Sequence, residues 1–353
     1  MENGKKLLFS ILFWNFIGLL FVIIRSVGLH EVSGIPPFNL LAIAPQLIFA
    51  GSLFGFMFWL IDINFEKILP HNSSFSKMIL LKSLLYMLVL LTGSISYSFF
   101  EWLFQGSDKQ LTEVLSEFFT DQIINTLVVY LFFSIVFILY SFFQQLDLMF
   151  GKGELLKILT GHYYKPKEVR RIFLFIDLKS STTYAEKLGH IKYSKLIQDC
   201  FADLSDAIVY NNANIYQYVG DEVVLTWSCE DGLRENNCIR SYFNFTERIK
   251  NNSDSYIEKY GFLPEFKAGA NVGNVTIAEV GKLKKEIAYH GDAINTAARI
   301  QYKAGELGKS FVISEKLLNE LSLEENFETK QLGHLELKGK KELINLYSVD
   351  IKK

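Results

Sequence analysis

Arg171-Ile172-Phe173-Leu174-Phe175-Ile176-Asp177-Leu178-Lys179-Ser180-Ser181-Thr182 is the stretch whose reading decides the fold of the second half of this chain. The run Arg171–Ile176 reads as a buried strand that stops on an acid and opens into a small polar turn. Downstream, 183–189 and 191–211 carry helical patterns. Asn214–Val219 and Glu222–Trp227 read as paired strands around Gly220-Asp221, a dipeptide suited to a type I′ hairpin turn. A helix is expected around Asp231–Asn252, then strands at Glu265–Val272 and Val275–Val280. Asp292–Ala304 reads as a helix with Asp292 as its N-cap, and shorter elements run to Val349. Strands alternating with helices predict an α/β domain over residues 170–353.

Outward from there the composition changes. The 353-residue chain is 50% hydrophobic, with a net charge of -2. Residues 1–150, however, hold only 17 of its 74 charged residues. Near-neutral charge gives no reason to expect nucleic acid as a partner, and the composition excludes a disordered chain. Cys200, Cys229 and Cys238 form neither a disulfide framework nor a metal-ligand spacing.

Charge-free stretches at Leu7–Ile24, Val32–Ile61, Ser83–Phe100 and Gln122–Leu146 are each long enough to cross a hydrocarbon core about 30 Å thick. They predict an all-α transmembrane bundle of four helices over residues 1–150, with spans near 7–25, 38–61, 79–100 and 122–146. Residues 151–169 then form a short basic connector. Lys5, Lys6, Lys67, Lys77, Lys82 and the cluster from Lys152 to Arg171 flank one side of the spans, and the third loop is acidic. This bias places both termini and the α/β domain in the cytoplasm, with the bundle in the lipid bilayer of the cell's inner membrane. No ionisable residue is expected mid-span. Trp14, Trp59 and Trp102 read as packing or interface residues, and Gly51/Gly55 as a small-xxx-small pair suited to close helix contact, dimerisation included.

Three motifs carry chemistry. Asp177 at a strand end, followed by Ser180-Ser181-Thr182 opening a helix, suits a metal-bound phosphate, although an Asp there also caps helices. Asp221 at the hairpin tip is a turn residue on its own; with Asp177 it could share two cations. In Gly291-Asp292-Ala293-Ile294-Asn295-Thr296-Ala297-Ala298-Arg299, Asn295 and Arg299 lie four apart and project from one helical face.

Together with the closing Leu337-Lys338-Gly339-Lys340 and Tyr347, these motifs resemble the catalytic domain of class III nucleotidyl (adenylate/guanylate) cyclases, in identity, order and spacing. The resemblance implies a ferredoxin-like α/β fold. It implies two Mg²⁺ or Mn²⁺ ions per active site, held by Asp177, Asp221 and the Leu178 carbonyl. Ser180, Ser181, Thr182 and Lys338 would bind triphosphate, Asn295 would position the ribose, and Arg299 would meet charge developing at the α-phosphate. It also implies a homodimer with shared active sites, since metal acids and the Asn/Arg pair meet across the interface in that family. The base-selecting positions hold Gln217 and Ala288, neither the adenylate-type nor the guanylate-type pair. A Gln amide serves either purine; the resemblance implies ATP, the commoner substrate of bacterial-looking members, with GTP as the alternative. A diguanylate cyclase is the weaker rival, because Val219 replaces the first glycine of that family's turn and the Asn/Arg pair has no counterpart there. A catalytically silent receptor with the same fold is the other rival.

Overall fold

The computed structural model describes residues 2–33, 40–68, 74–104, 123–151, 153–335 and 343–352. It divides into two compact units, Met1–Phe150 and Gly151–Lys353.

The first unit holds four long helices: α1 (Glu2–Ser33), α2 (Leu40–Ile68), α3 (Phe75–Phe104) and α4 (Ile123–Phe150). All four are long and apolar enough to cross a membrane. Each runs past the charge-free stretch that announced it, because a helix ends where its backbone turns and not where its charges begin. Trp14 is 3% exposed at the centre of an aromatic core with Phe58, Tyr86 and Phe137. Gly51 and Gly55 face α1 of the same chain. A Cβ at Gly55 would come 2.7 Å from Ile11 Cα, and Ser10 Oγ donates to the Gly55 carbonyl at 2.8 Å. The small-residue pair is therefore consumed inside the chain.

No ionisable residue is expected mid-span, and Asp62 stands near the end of its candidate span, Ala44–Phe65. Asp62, one residue beyond the apolar stretch, lies within α2 and gathers donors from two other helices. Lys82 Nζ is 2.7 Å away, Tyr140 Oη donates at 3.2 Å, Gln144 Nε2 donates at 3.0 Å, and Tyr86 Oη donates as well. A half-buried carboxylate in apolar surroundings is tolerated only with such partners. Asp62→Ala removes the carboxylate partner of Lys82, which keeps Gln144 Oε1, and the acceptor of two hydroxyls at once. It is expected to lower the unfolding temperature of the detergent-solubilised chain by several degrees more than Lys157→Ala, which breaks an exposed pair with Glu154.

The second unit opens with a short helix α5 (Glu154–Leu159), followed by β1 (Lys167–Leu178) and α6 (Ser181–Tyr210). The stretch read as a connector packs on its own unit. Tyr163 is buried, and its carbonyl accepts from Glu279 N at 2.9 Å. There follow β2 (Asn214–Val219), β3 (Glu222–Ser228), α7 (Cys229–Leu233), a 3₁₀ turn, α8 (Asn237–Asn251) and α9 (Ser253–Tyr260). The rest is β4 (Phe266–Val280), β5 (Glu286–His290), α10 (Asp292–Glu306), β6 (Phe311–Ser314), α11 (Glu315–Leu318), β7 (Phe327–Leu335) and β8 (Ile344–Ile351).

The sheet order is β2-β3-β1-β4-β6-β8-β7, with β5 paired to β4. Its first four strands are antiparallel and read 4-1-3-2 over β1-α-β2-β3-α-β4, a ferredoxin-like core. β1 is central and covered on both faces, so its apolar run is nearly continuous. Ile172, Leu174 and Ile176 pack in one core with Leu196, Cys200 and Phe245. Phe173 and Phe175 pack on the other side against Ala293, Ile294 and Ala297 of α10.

Three local readings change. The strands expected at Glu265–Val272 and Val275–Val280 are one strand that runs through Gly273, where close packing excludes a side chain: a Cβ there would lie 2.8 Å from Ala293 Cβ. The helix expected at Asp231–Asn252 is broken, with Glu235 and Asn236 at positive φ. Asp292 lies inside α10, whose N-cap is Gly291.

Candidate active site

The second-unit site is built where β1, β3 and β4 end together. Asp177 pairs with Glu222 on one side and Lys267 on the other. Beyond it, Ser180 takes a left-handed conformation (φ 57°), which turns the chain sharply into the first turn of α6 at Ser181. That first turn presents backbone N–H groups without intrahelical acceptors, beside Ser181 and Thr182. Gly220 is at φ 64° and Asp221 is not at positive φ, so the hairpin is not the type I′ turn, which needs both.

Asp177, Asp221 and Glu222 crowd one corner. Burial raises the Asp177 pKa; the Lys267 ammonium pulls it down, and the Asp221 carboxylate beside it pushes it up again. Burial, then Asp177 and Asp221, push Glu222 up from 4.5 to about 7. Over that window the folded chain keeps a proton that the unfolded chain has released, so Glu222's contribution to stability falls as pH rises from 4.5 to about 7. Glu222→Gln cannot ionise. It is expected to flatten the decline in unfolding temperature of the metal-free chain between about pH 5 and 8.

The donor set suits a hard divalent cation: two carboxylates and the Leu178 carbonyl are all oxygen, and the crowding of acids leaves negative charge to be neutralised. Among the described residues no three His, Cys, Asp or Glu side chains are arranged to hold an ion by themselves. Two partners of Asp177 were not read from the sequence. Lys267 Nζ lies 3.0 Å from its Oδ2, and Gln301 Nε2 donates to the same oxygen at 2.9 Å.

Asn295 and Arg299 share a face of α10, as their spacing predicts. Asn295 is exposed and its Nδ2 donates to the Gly291 carbonyl at 3.2 Å. Gln301, which reaches Asp177, follows Arg299 by two residues and so stands roughly 200° further round the helix. Arg299 therefore leaves the helix on the side opposite Gln301, and it forms no hydrogen bond or ion pair with the described residues. Lys338 lies outside the described residues. Gln217 is exposed on β2, beside a register shift, and Ala288 is half-buried on β5. Their neighbours Tyr216 and Tyr289 stack edge to face, 5.0 Å between centroids, and join the second core, while Tyr218 packs on Phe201.

A family model described as the adenylate and guanylate cyclase catalytic domain matches residues 164–350. The chain is 33% identical over 201 residues to adenylate cyclase 2 of Rhizobium meliloti (strain 1021), covering 57% of this chain and 55% of that protein. It is 26% identical over 186 residues to an adenylate cyclase of Anabaena cylindrica, covering 51% and 36%. The chain thus spans about half or less of the length of these curated relatives. A bacterial light-regulated adenylyl cyclase shares the fold, with a TM-score of 0.54 at 20% identity over 64% of this chain and 65% of that one.

Proposed function

The chain belongs to the adenylate and guanylate cyclase family, and on that premise we propose that it is a membrane-anchored adenylate cyclase, converting ATP to 3′,5′-cyclic AMP and pyrophosphate in a homodimer with shared active sites. The observation that carries the shared site is the two-sidedness of α10. It turns Gln301 to its own Asp177 and leaves Arg299 facing outward without a partner among the described residues. A second copy brings its own Asp177 and Asp221 to that face, and two-fold closure then builds two equivalent sites.

Asp177, Asp221 and the Leu178 carbonyl are the ligands for Mg²⁺ or Mn²⁺, two ions per site in this reading. Such ions, when bound, lower the pKa of the ribose 3′-hydroxyl and neutralise the triphosphate. Ser180, Ser181, Thr182 and Lys338 receive the phosphates; the first three stand at the helix start, where unpaired N–H groups converge. Asn295 orients the ribose. Arg299 meets the charge that grows on the α-phosphate, a contribution that needs no reorganisation if the guanidinium is already uncommitted.

ATP is favoured over GTP because the curated relatives at 33% and 26% identity are adenylate cyclases. Gln217 and Ala288 admit both bases. The four apolar helices support anchoring of residues 1–150 in the inner membrane, and the basic flanks favour a cytoplasmic position for residues 170–353, after a connector at 151–169.

The test is to incubate the purified full chain with Mn²⁺ and either ATP or GTP and to identify the product. Cyclic AMP from ATP is expected. Cyclic GMP alone would move the substrate to GTP, and a cyclic dinucleotide would point to the diguanylate rival. No cyclic product from either nucleotide would end the cyclase reading.

A further inference from the structure

Asp177 already has a cation. It stands directly across from Lys267 in the β1–β4 register, and the Lys267 ammonium sits 3.0 Å from Oδ2. The same oxygen accepts from Gln301 at 2.9 Å. Both side chains of the pair are about four-fifths buried, at 21% and 20% exposure. The slot for Lys267 is cut by Gly305, one helical turn beyond Gln301 on the same face of α10. A Cβ at that position would lie 3.1 Å from Lys267 Cδ and 3.2 Å from its Nζ. The other lysine at this end of the sheet, Lys179, is engaged elsewhere, with Glu265 at 3.2 Å and Ser310 at 3.3 Å. The groups facing Asp177 are thus Lys267 from β4, Gln301 from α10, Asp221 and Glu222 from the hairpin, and Tyr193 from α6, whose hydroxyl the two aspartates influence.

We propose that Lys267, seconded by Gln301, is a built-in counter-cation for Asp177 that a divalent ion must displace, so that this pair sets the metal affinity of the chain. The inference rests on Asp177 being a metal ligand. An ammonium at 3.0 Å and a divalent ion at the short distance its coordination demands (about 2.0–2.1 Å for Mg²⁺) compete for the same lone pairs. They also compete for the same charge, since an ammonium is a compact point cation. Without Lys267 the three acids would face one another unneutralised, at a cost to the metal-free fold. With it, metal binding has to break an ion pair and an amide hydrogen bond first. Lys267 is a positioning residue in this account, acting through Asp177.

Binding of Mn²⁺ alone, without nucleotide, to the full chain in detergent tests this, read by calorimetry or by the electron paramagnetic resonance of free Mn²⁺. Lys267→Met is expected to tighten Mn²⁺ binding by roughly tenfold, the order of coupling between ligands that exclude each other. Lys267→Arg, which keeps the charge, should stay within about threefold of the parent on the same scale. Asp177→Asn should lose the site. If Lys267→Met binds no tighter than Lys267→Arg while Asp177→Asn loses binding, the counter-cation idea is wrong and the ligand assignment stands. If Asp177→Asn binds Mn²⁺ as the parent does, the ligand assignment itself fails. Should Lys267→Met not fold, Gln301→Leu removes the seconding bond and must tighten binding in the same direction; unchanged binding there overturns the proposal.

Discussion

Asp177→Asn is expected to lower cyclic AMP formation by about three orders of magnitude or more, with the protein still folded. The variant keeps the shape of the side chain, so β1 and its two cores should stand. What it loses is the charge that, in the proposed site, would hold a divalent ion at the strand end, and metal ions supply several kcal/mol of transition-state stabilisation, where about 1.4 kcal/mol is a factor of ten. Lys267 and Gln301 would then face an amide in place of a carboxylate. A cooperative unfolding transition, with Glu222 still beside Lys267, together with collapsed turnover in Mn²⁺ is the expected pair of results. Turnover within tenfold of the parent would remove Asp177 from the metal site.

The second large effect belongs to Arg299→Ala. Losing one preorganised cation aimed at developing charge costs roughly 10²–10³ in turnover. The guanidinium makes no hydrogen bond or ion pair with the described residues of its own chain, so the fold should not notice its removal. The loss should fall mainly on kcat and much less on KM, because the charge it meets grows in the transition state. A rise in KM with kcat unchanged would make Arg299 a ground-state binder of the triphosphate instead.

The parts of this architecture that were legible in the sequence are those written in short-range pattern. The β2–β3 hairpin around Gly220-Asp221 has the predicted strand starts, and the break between the helical patterns at 183–189 and 191–211 is Gly189, at φ 72°. Asn295 and Arg299 could be placed on one face from spacing alone. What escaped was set by contacts between distant segments. The expected gap between strands at 273–274 closes because of the approach of Ala293 to Gly273, 20 residues away in the chain. Lys267 and Gln301 are 90 and 124 residues from Asp177, and neither belongs to a motif. Asp62 was missed for a different reason. Measuring spans by the absence of charge ends each span at the first charged residue, and so cannot find a carboxylate that three neighbouring groups and a lysine make tolerable inside the helix.

Helix α10 thus presents two different faces. The inner face of α10 holds its own Asp177 through Gln301, and in the proposed dimer the opposite face would offer Arg299 to another copy. Co-expressing Asp177→Asn and Arg299→Ala chains and assaying the purified mixture tests this most directly. Random pairing makes half the dimers mixed, and each mixed dimer owns one intact site, so about one quarter of parental activity should return. A mixture no more active than either variant alone would contradict the shared site and place the whole of the chemistry within single chains.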